Sequence, residues 1–326
     1  MSFKDILAQP VAVNTLRKAL AAGKISGPYL FWGPAGAGKR FTAKELAKAI
    51  NCETAEEDAC GLCASCQKME RGSHPDLFWV EPKSQTAQLS IEAIRELKKE
   101  IALKPWEGKK RVVVLVEAER ATEEAQNAFL KMLEETPFGS LIILTSVKSE
   151  GILPTVLSRC KTVRFGPIPT ETIRNFLKKE TGLSAEKAAT LAKLCHGSLG
   201  RAQLMKEDFL KEKFEILSQF LERALHIDEE KEFFEDKESV FSALELLTTW
   251  YRDLWLMKEG SSRELLFHED RLPEMREESS RWTENALEEA LSELLLAREM
   301  LDQHVNTRLL LYTLSRRMRA LQGASR

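Results

Sequence analysis

A glycine-rich loop between a short apolar run and a helical pattern constrains this chain more than any other feature. Tyr29-Leu30-Phe31-Trp32 reads as a buried strand, Gly33-Pro34-Ala35-Gly36-Ala37-Gly38-Lys39-Arg40 follows it, and Phe41 to Ile50 continues as a helix. That context is what a phosphate-binding loop requires. The glycines let backbone N–H groups curl around phosphate oxygens, the helix N-terminus adds partial positive charge, and Lys39 reaches the outer phosphates. Three further apolar runs read as strands: Leu77-Phe78-Trp79-Val80, Val112 to Val116 and Leu141 to Leu144. Amphipathic stretches, Ile91 to Leu103 and Glu123 to Glu135, lie between them. The alternation predicts an α/β fold, a parallel sheet with helices on both faces.

The strand signals stop at Gly166-Pro167-Ile168-Pro169, where two prolines disfavour continued regular structure. Thr170 to Arg201 fits a small helical domain. The Leu-, Glu-, Lys- and Arg-rich remainder from Lys206 reads as helical to the end, with a loop expected near 258–282 around Gly260, Ser261, Ser262 and Pro273. The expected division is 1–166, 167–205 and 206–326. The net charge of −2 makes the chain no polycation, so contact with nucleic acid requires local patches or partner subunits. Lys98, Lys99, Lys109, Lys110 and Arg111 form such a run, which as a charge pattern alone reads as a solvated helix face and loop. Met1-Ser2-Phe3-Lys4-Asp5 lacks a following apolar run, and no stretch of about 18 apolar residues occurs. The expected location is therefore the cytosol, away from membranes.

Two departures bear on chemistry at the loop. The position after the loop lysine ordinarily carries Ser or Thr, whose hydroxyl binds Mg²⁺; Arg40 stands there, a fixed cation with no lone pair to offer. A nucleotide hydrolase of this type also needs an acidic pair at the end of a central strand, and here the run ends Val116-Glu117. Val116 holds no cation, while Glu117 stands where a water-polarising carboxylate would sit and reads equally as a strand-end surface group. Magnesium supplies several kcal/mol toward phosphoryl transfer, so losing both anchors argues against catalysis. The residues leave open ATP or ADP binding without turnover, a loop that binds nothing, and a working ATPase.

Four of six cysteines cluster as Cys52-x7-Cys60-x2-Cys63-x2-Cys66, a module spanning about 51–68. In a cytosolic chain this spacing points to a closed, structural four-thiolate Zn²⁺ site rather than disulfides. An iron–sulfur cluster would need a further Cys downstream followed by Pro, and none follows Cys66. His74, before Pro75, reads as a loop residue. Arg159, in Leu157-Ser158-Arg159-Cys160, precedes the run Thr162 to Phe165; it reads as a surface arginine, or as an arginine finger if it reaches a neighbour's ATP.

Taken together these segments resemble the AAA+ clamp-loader subunits of bacterial DNA polymerase III. The resemblance is carried by Asp5-Ile6-Leu7-Ala8-Gln9-Pro10, the phosphate loop, the four cysteines, Gly72-Ser73-His74-Pro75-Asp76, Asn127 to Pro137 and Ser158-Arg159-Cys160. It covers about the first 205 residues, and the rest matches as a helical tail. It implies an AAA+ domain with an inserted zinc module, a helical lid and an all-helical collar. It also implies gamma/tau and delta subunits as partners, and through them the sliding clamp and primed DNA. Arg40 and Val116 resemble the non-hydrolysing stator of that family rather than its gamma/tau motor subunits, the alternative. So does Gly200, which stands where a sensor arginine is expected, with Arg201 one place on. Carried over, Arg159 would complete an adjacent subunit's ATP site, and Thr145 or Ser146 would sit at the first sensor position.

Overall fold

The computed structural model describes residues 2–55, 57–82, 88–135, 137, 139–204, 237–303 and 305–324. They form two compact units, Met1–Ile173 with Cys195–Ala202, and Arg174–Leu194 with Gln203–Arg326.

The first unit is built on five parallel strands: β1 (Tyr29–Trp32), β2 (Leu77–Val80), β3 (Arg111–Leu115), β4 (Ser140–Ser146) and β5 (Lys161–Arg164). Their spatial order is β2-β3-β4-β1-β5, with Phe31 opposite both Thr145 and Val163. Every residue of β3 and β4 is buried, which is why these segments read as unbroken apolar runs instead of alternating ones. Successive side chains face opposite sides. Phe31, Val112, Val114, Leu141 and Ile143 join Leu16, Leu46 and Ala47 of α1 (Pro10–Ala21) and α2 (Lys39–Asn51) in one core layer. Leu30, Val113, Leu115, Ile142 and Leu144 join Ile94, Leu97, Phe129 and Leu133 in the other. Those four belong to α4 (Ile91–Ile101) and α5 (Glu123–Glu134), which start where the Ser90 and Thr122 hydroxyls accept the amides of Ala93 and Ala125. The expected α/β sheet with helices on both faces is thus present.

Between α2 and β2 lies a short helix, α3 (Ala64–Glu70). After it Asp76, fully buried, accepts backbone N–H bonds from Trp106, Glu107 and Gly108 at 2.7, 2.9 and 2.8 Å. Burial raises the pKa of this carboxyl, but the three amides outweigh it and the net shift is downward. Asp76→Ala should therefore destabilise the unit by about 3 kcal/mol, because three buried donors lose a charged acceptor. The wild-type contribution is complete above the ordinary carboxyl value of 3.8 and is lost as pH falls through the lower folded value. Urea melts of both proteins at neutral and acid pH check this: their difference should shrink at the acid end.

Past β4 come a short helix, α6 (Pro154–Leu157), and β5; α7 (Thr170–Thr181), α8 (Ala185–Leu194) and α9 (Leu199–Leu204) then cover the stretch expected to be helical. The second unit contains α10 (Lys237–Lys258), α11 (Leu272–Ser279), α12 (Glu284–Asp302) and α13 (Thr307–Ala324). Tyr251, Leu254, Met275, Trp282, Leu287 and Leu294 sit at its core, and the Tyr251 and Trp282 rings meet edge to face at 5.1 Å. The loop expected over 258–282 is partly regular. Pro273 lies in the first turn of α11, where its missing N–H costs nothing. Buried Asp253 ties the preceding turn by accepting the amides of Phe267 and His268 at 2.7 and 2.9 Å. The helical expectation for residues 206–236 lies outside the described residues. Among the described residues no helix is long and apolar enough to cross a membrane.

Candidate functional site

Gly33 to Lys39 connects the C-terminal end of β1 to α2, as the sequence predicts. Gly33, Gly36 and Gly38 all have positive φ, at 145°, 69° and 92°. What two of them approach is protein. A Cβ on Gly33 would stand 2.2 Å from the Phe165 carbonyl oxygen. One on Gly36 would meet the Ser198 Oγ at 1.9 Å and the Gly200 amide nitrogen at 3.1 Å. The Gly36 carbonyl accepts the Leu199 amide at 3.1 Å, and the Gln9 side-chain amide donates to the Ala37 carbonyl at 3.2 Å. Gly200, read as a sensor position, is therefore packed directly on the loop.

Lys39 is buried and donates to the loop's own carbonyls, Gly33 at 2.5 Å and Pro34 at 2.7 Å. Burial pulls its ammonium down to about 8, with Glu119 and Glu117 acting the other way. Arg40 leaves the loop altogether. Its guanidinium lies 4.8 Å from the Trp79 ring centroid and pairs with Glu81 beyond β2 at 2.5 Å. Pro34 contributes its carbonyl, and Ala35 is exposed.

Val116 stands just beyond β3, its amide donating to the Val80 carbonyl. Glu117 has a left-handed backbone, φ 53°, and its carboxylate pairs with Arg120 at 2.7 Å. Its amide donates to the Thr145 hydroxyl at 3.2 Å. Thr145 therefore bridges the ends of β3 and β4, while the Ser146 hydroxyl donates to the Lys148 carbonyl. The ends of β1, β3 and β4 thus bring Lys39, Glu117 and Thr145 to one sheet edge, the edge where α/β sheets place ligands.

The cysteine cluster assembles as read. Cys52 follows the end of α2, Cys63 caps α3, Cys66 lies within α3, and the four sulfurs lie within 4.8 Å of one another. Tetrahedral Zn–S bonds of about 2.3 Å place sulfurs roughly 3.8 Å apart, so the cage fits a metal ion with little adjustment. Backbone amides aim at the sulfurs: Ala55 and Cys60 at Cys52, Leu62 and Cys63 at Cys60, and Cys66 at Cys63, all between 3.3 and 3.4 Å. Such donors favour thiolates; the Thr54 hydroxyl and the Cys63 and Leu62 amides hold the Cys60 thiol down to about 6. Burial drives Cys66 the other way, as expected of four thiols crowded together. His74 is no ligand. It is a buried strut whose Nδ1 accepts the Asp76 amide and whose Nε2 bonds the Ser65 hydroxyl, at 3.1 Å each.

Arg159 lies on the surface between α6 and β5. Its guanidinium pairs with Glu134 at the end of α5, through Nε at 2.7 Å, and donates to the Thr155 carbonyl at 2.9 Å. In the basic run, Lys109 donates to the Cys52 carbonyl, Lys110 to the Ile25 carbonyl, and Arg111 pairs with Glu100. Three of its five cations are thus structural. The Arg40–Glu81–Trp79 cluster was not read from the sequence, and nothing local to residues 79–81 signals it.

This combination defines a class: a parallel α/β domain of the P-loop type carrying a four-cysteine metal knuckle. The family model described as "DNA polymerase III, delta subunit" matches residues 8–169. DNA polymerase III subunit delta' of Bacillus subtilis is 28% identical over 309 residues, covering 91% of this chain and 92% of that one. Subunit delta' of Pseudomonas aeruginosa is 38% identical over 133 residues, 40% of each chain. Subunit tau of Escherichia coli is 32% identical over 204 residues, 61% of this chain but 31% of tau. A gamma subunit-related protein of Thermotoga maritima superposes with a TM-score of 0.53 over 95% of this chain and 99% of its own, at 19% identity, and so shares the fold. The chain is thus similar to the delta' and gamma/tau subunits of DNA polymerase III.

Proposed function

We propose that the chain is a delta-prime-type stator of the clamp loader: it hydrolyses no ATP itself and lends Arg159 to the ATP site of a neighbouring gamma/tau-type subunit. The observation that carries this is the double absence of magnesium anchors, Arg40 at one position and Val116 at the other, beside a loop already closed on itself. Lys39 is spent on loop carbonyls and Gly36 on the turn at Ser198. Glu117, the one residue left of the acidic pair, is held by Arg120. The near full-length match to a delta' subunit, against partial matches to the longer tau chains, supports the same reading.

In this reading the cysteine cage holds structural zinc, the metal its four sulfur donors suit best. The division at 1–166, 167–205 and 206–326 corresponds to an AAA+-like domain, a lid and a collar. The partners are gamma/tau and delta subunits, with the sliding clamp and primed DNA reached through the assembly, in the cytoplasm. Arg159 suits its role because its planar fork lies on the surface and its Glu134 partner is exposed, so an incoming phosphate displaces only a weak pair.

The pure chain should show no ATP hydrolysis above background with magnesium, and should co-purify with gamma/tau and delta subunits. Turnover on the order of 1 s⁻¹ by the chain alone, an ordinary enzymatic rate, would put the motor reading in its place.

A further inference from the structure

The second unit holds a cleft of about 600 Å³ between α8 and the start of α11. Ala185 and Ala189 line it from α8, and Leu272 and Pro273 from α11. The guanidiniums of Arg263 and Arg276 line it too, with one carboxylate, Glu269, among the described residues. That volume lies within the roughly 300–1,000 Å³ of pockets that hold small ligands. The walls are fixed in place. Lys193, near the end of α8, donates to the Leu266 carbonyl at 2.7 Å and pairs with Glu269, which fastens the helix to the turn leading into α11. The same turn hangs on buried Asp253 through the amides of Phe267 and His268.

The charges around the cleft do not cancel. Glu269 is neutralised by Lys193, and its second oxygen lies 4.0 Å from the Arg263 Nε, a loose contact for a side chain 67% exposed. The three acids of α11 are all engaged away from Arg276: Glu274 with Arg271, Glu277 with Arg281 at 2.7 Å, and Glu278 as acceptor of the Trp250 indole N–H at 2.9 Å. Among the described residues the Arg276 guanidinium makes no hydrogen bond or ion pair. Two arginine forks with donors to spare therefore face a preformed space.

We propose that this cleft binds a small phosphorylated molecule, its phosphates held by Arg263 and Arg276 and its organic body laid against the alanines of α8 and Pro273. One guanidinium fork satisfies both oxygens of a carboxylate, so an acidic side chain would leave the second arginine idle; a phosphate ester or diphosphate has oxygens for both. The apolar wall covers part of a ligand but offers no aromatic ring, so no particular base is selected by stacking. The site reads phosphate groups and not base identity. Because α8 and α11 both line it, a bound ligand braces one against the other. The cleft lies in the second unit and the phosphate loop in the first, so binding here needs neither Lys39 nor Arg159.

The test is calorimetric titration of the full-length chain with ADP, GDP and inorganic pyrophosphate, without magnesium so that the phosphates keep their charge. ADP and GDP should bind with similar affinity, and pyrophosphate more weakly for want of a body against the apolar wall. Arg263→Gln and Arg276→Gln should each weaken ADP binding by about tenfold or more, since charge-assisted bonds are lost. Both side chains are exposed, so the Tm of the ligand-free chain should not move. A photoreactive azido-ADP should label positions within 185–190 or 272–276. The proposal is overturned if millimolar ADP gives no saturable binding, if both variants bind ADP as wild type does, or if the label falls only within 33–39. Binding of a polyglutamate peptide but of none of the three phosphates also overturns it, and would give the cleft to an acidic protein segment.

Discussion

Assembled with its partners, an Arg159→Ala chain should leave the adjacent ATP site nearly inert, with single-turnover hydrolysis there lowered by roughly 10³-fold, the lower end for tested arginine fingers. Charge accumulates on the equatorial oxygens of the transferring phosphoryl group, and a guanidinium placed there stabilises the transition state more than the bound nucleotide. Arg159→Lys should recover little, because an ammonium cannot reproduce the two-pronged donor geometry. The chain itself should barely notice either change. Arg159 and Glu134 are both partly exposed, and such pairs contribute about 0–1 kcal/mol. Rate loss without loss of folding or assembly therefore separates a finger from a structural arginine. An intact assembly that hydrolyses at the wild-type rate would remove Arg159 from the mechanism.

Much of this architecture can be read from the residues because burial on both sheet faces leaves an unmistakable trace. Tyr29–Trp32 and Leu77–Val80 are strands with the very limits their apolar runs suggest. The others differ by one or two residues, for instance Arg111–Leu115 against the run from Val112 to Val116, since a ladder can extend onto a polar flank such as Arg111. The cysteine cage was legible for another reason: spacing alone brings four sulfurs together when short turns intervene. Contacts distant in sequence were not. Nothing in Gly36 announces that its open side faces Ser198, 162 positions on, and the glycine pattern that suggests an anion cradle is equally satisfied by close backbone packing. Arg40 reads from the sequence as a cation with no lone pair for magnesium, but its seat on Trp79 beside Glu81 depends on how β2 lies against α2. The basic run misled most simply. Charge counted along the sequence cannot reveal that Lys109 and Lys110 cap buried carbonyls.

Removing the metal from the cysteine cage should be the most destabilising single intervention, and its effects should spread along a definite route. Classical zinc modules gain about 10–16 kcal/mol from their ion as peptides, far more than the small apolar cluster of Cys52, Ala55, Ala59 and Cys66 could replace. Cys66→Ser, at a fully buried position, should abolish binding of one zinc per chain and lower the Tm by well over 10 °C, several kcal/mol being a large fraction of any domain's stability. The cage is joined to the N-terminal turn through Asp58, which accepts the Phe3 amide at 3.0 Å and pairs with Arg17 at 2.9 Å. Phe3 is itself buried against the sheet's first core layer. Amide exchange should therefore rise together in residues 2–6 and 52–74 while β3 and β4, buried throughout, stay protected until global unfolding. Metal-free protein with unaltered melting and exchange would show that the four thiols do not need an ion. Brown colour with iron by elemental analysis would replace zinc with a cluster, whose removal should loosen the same two segments.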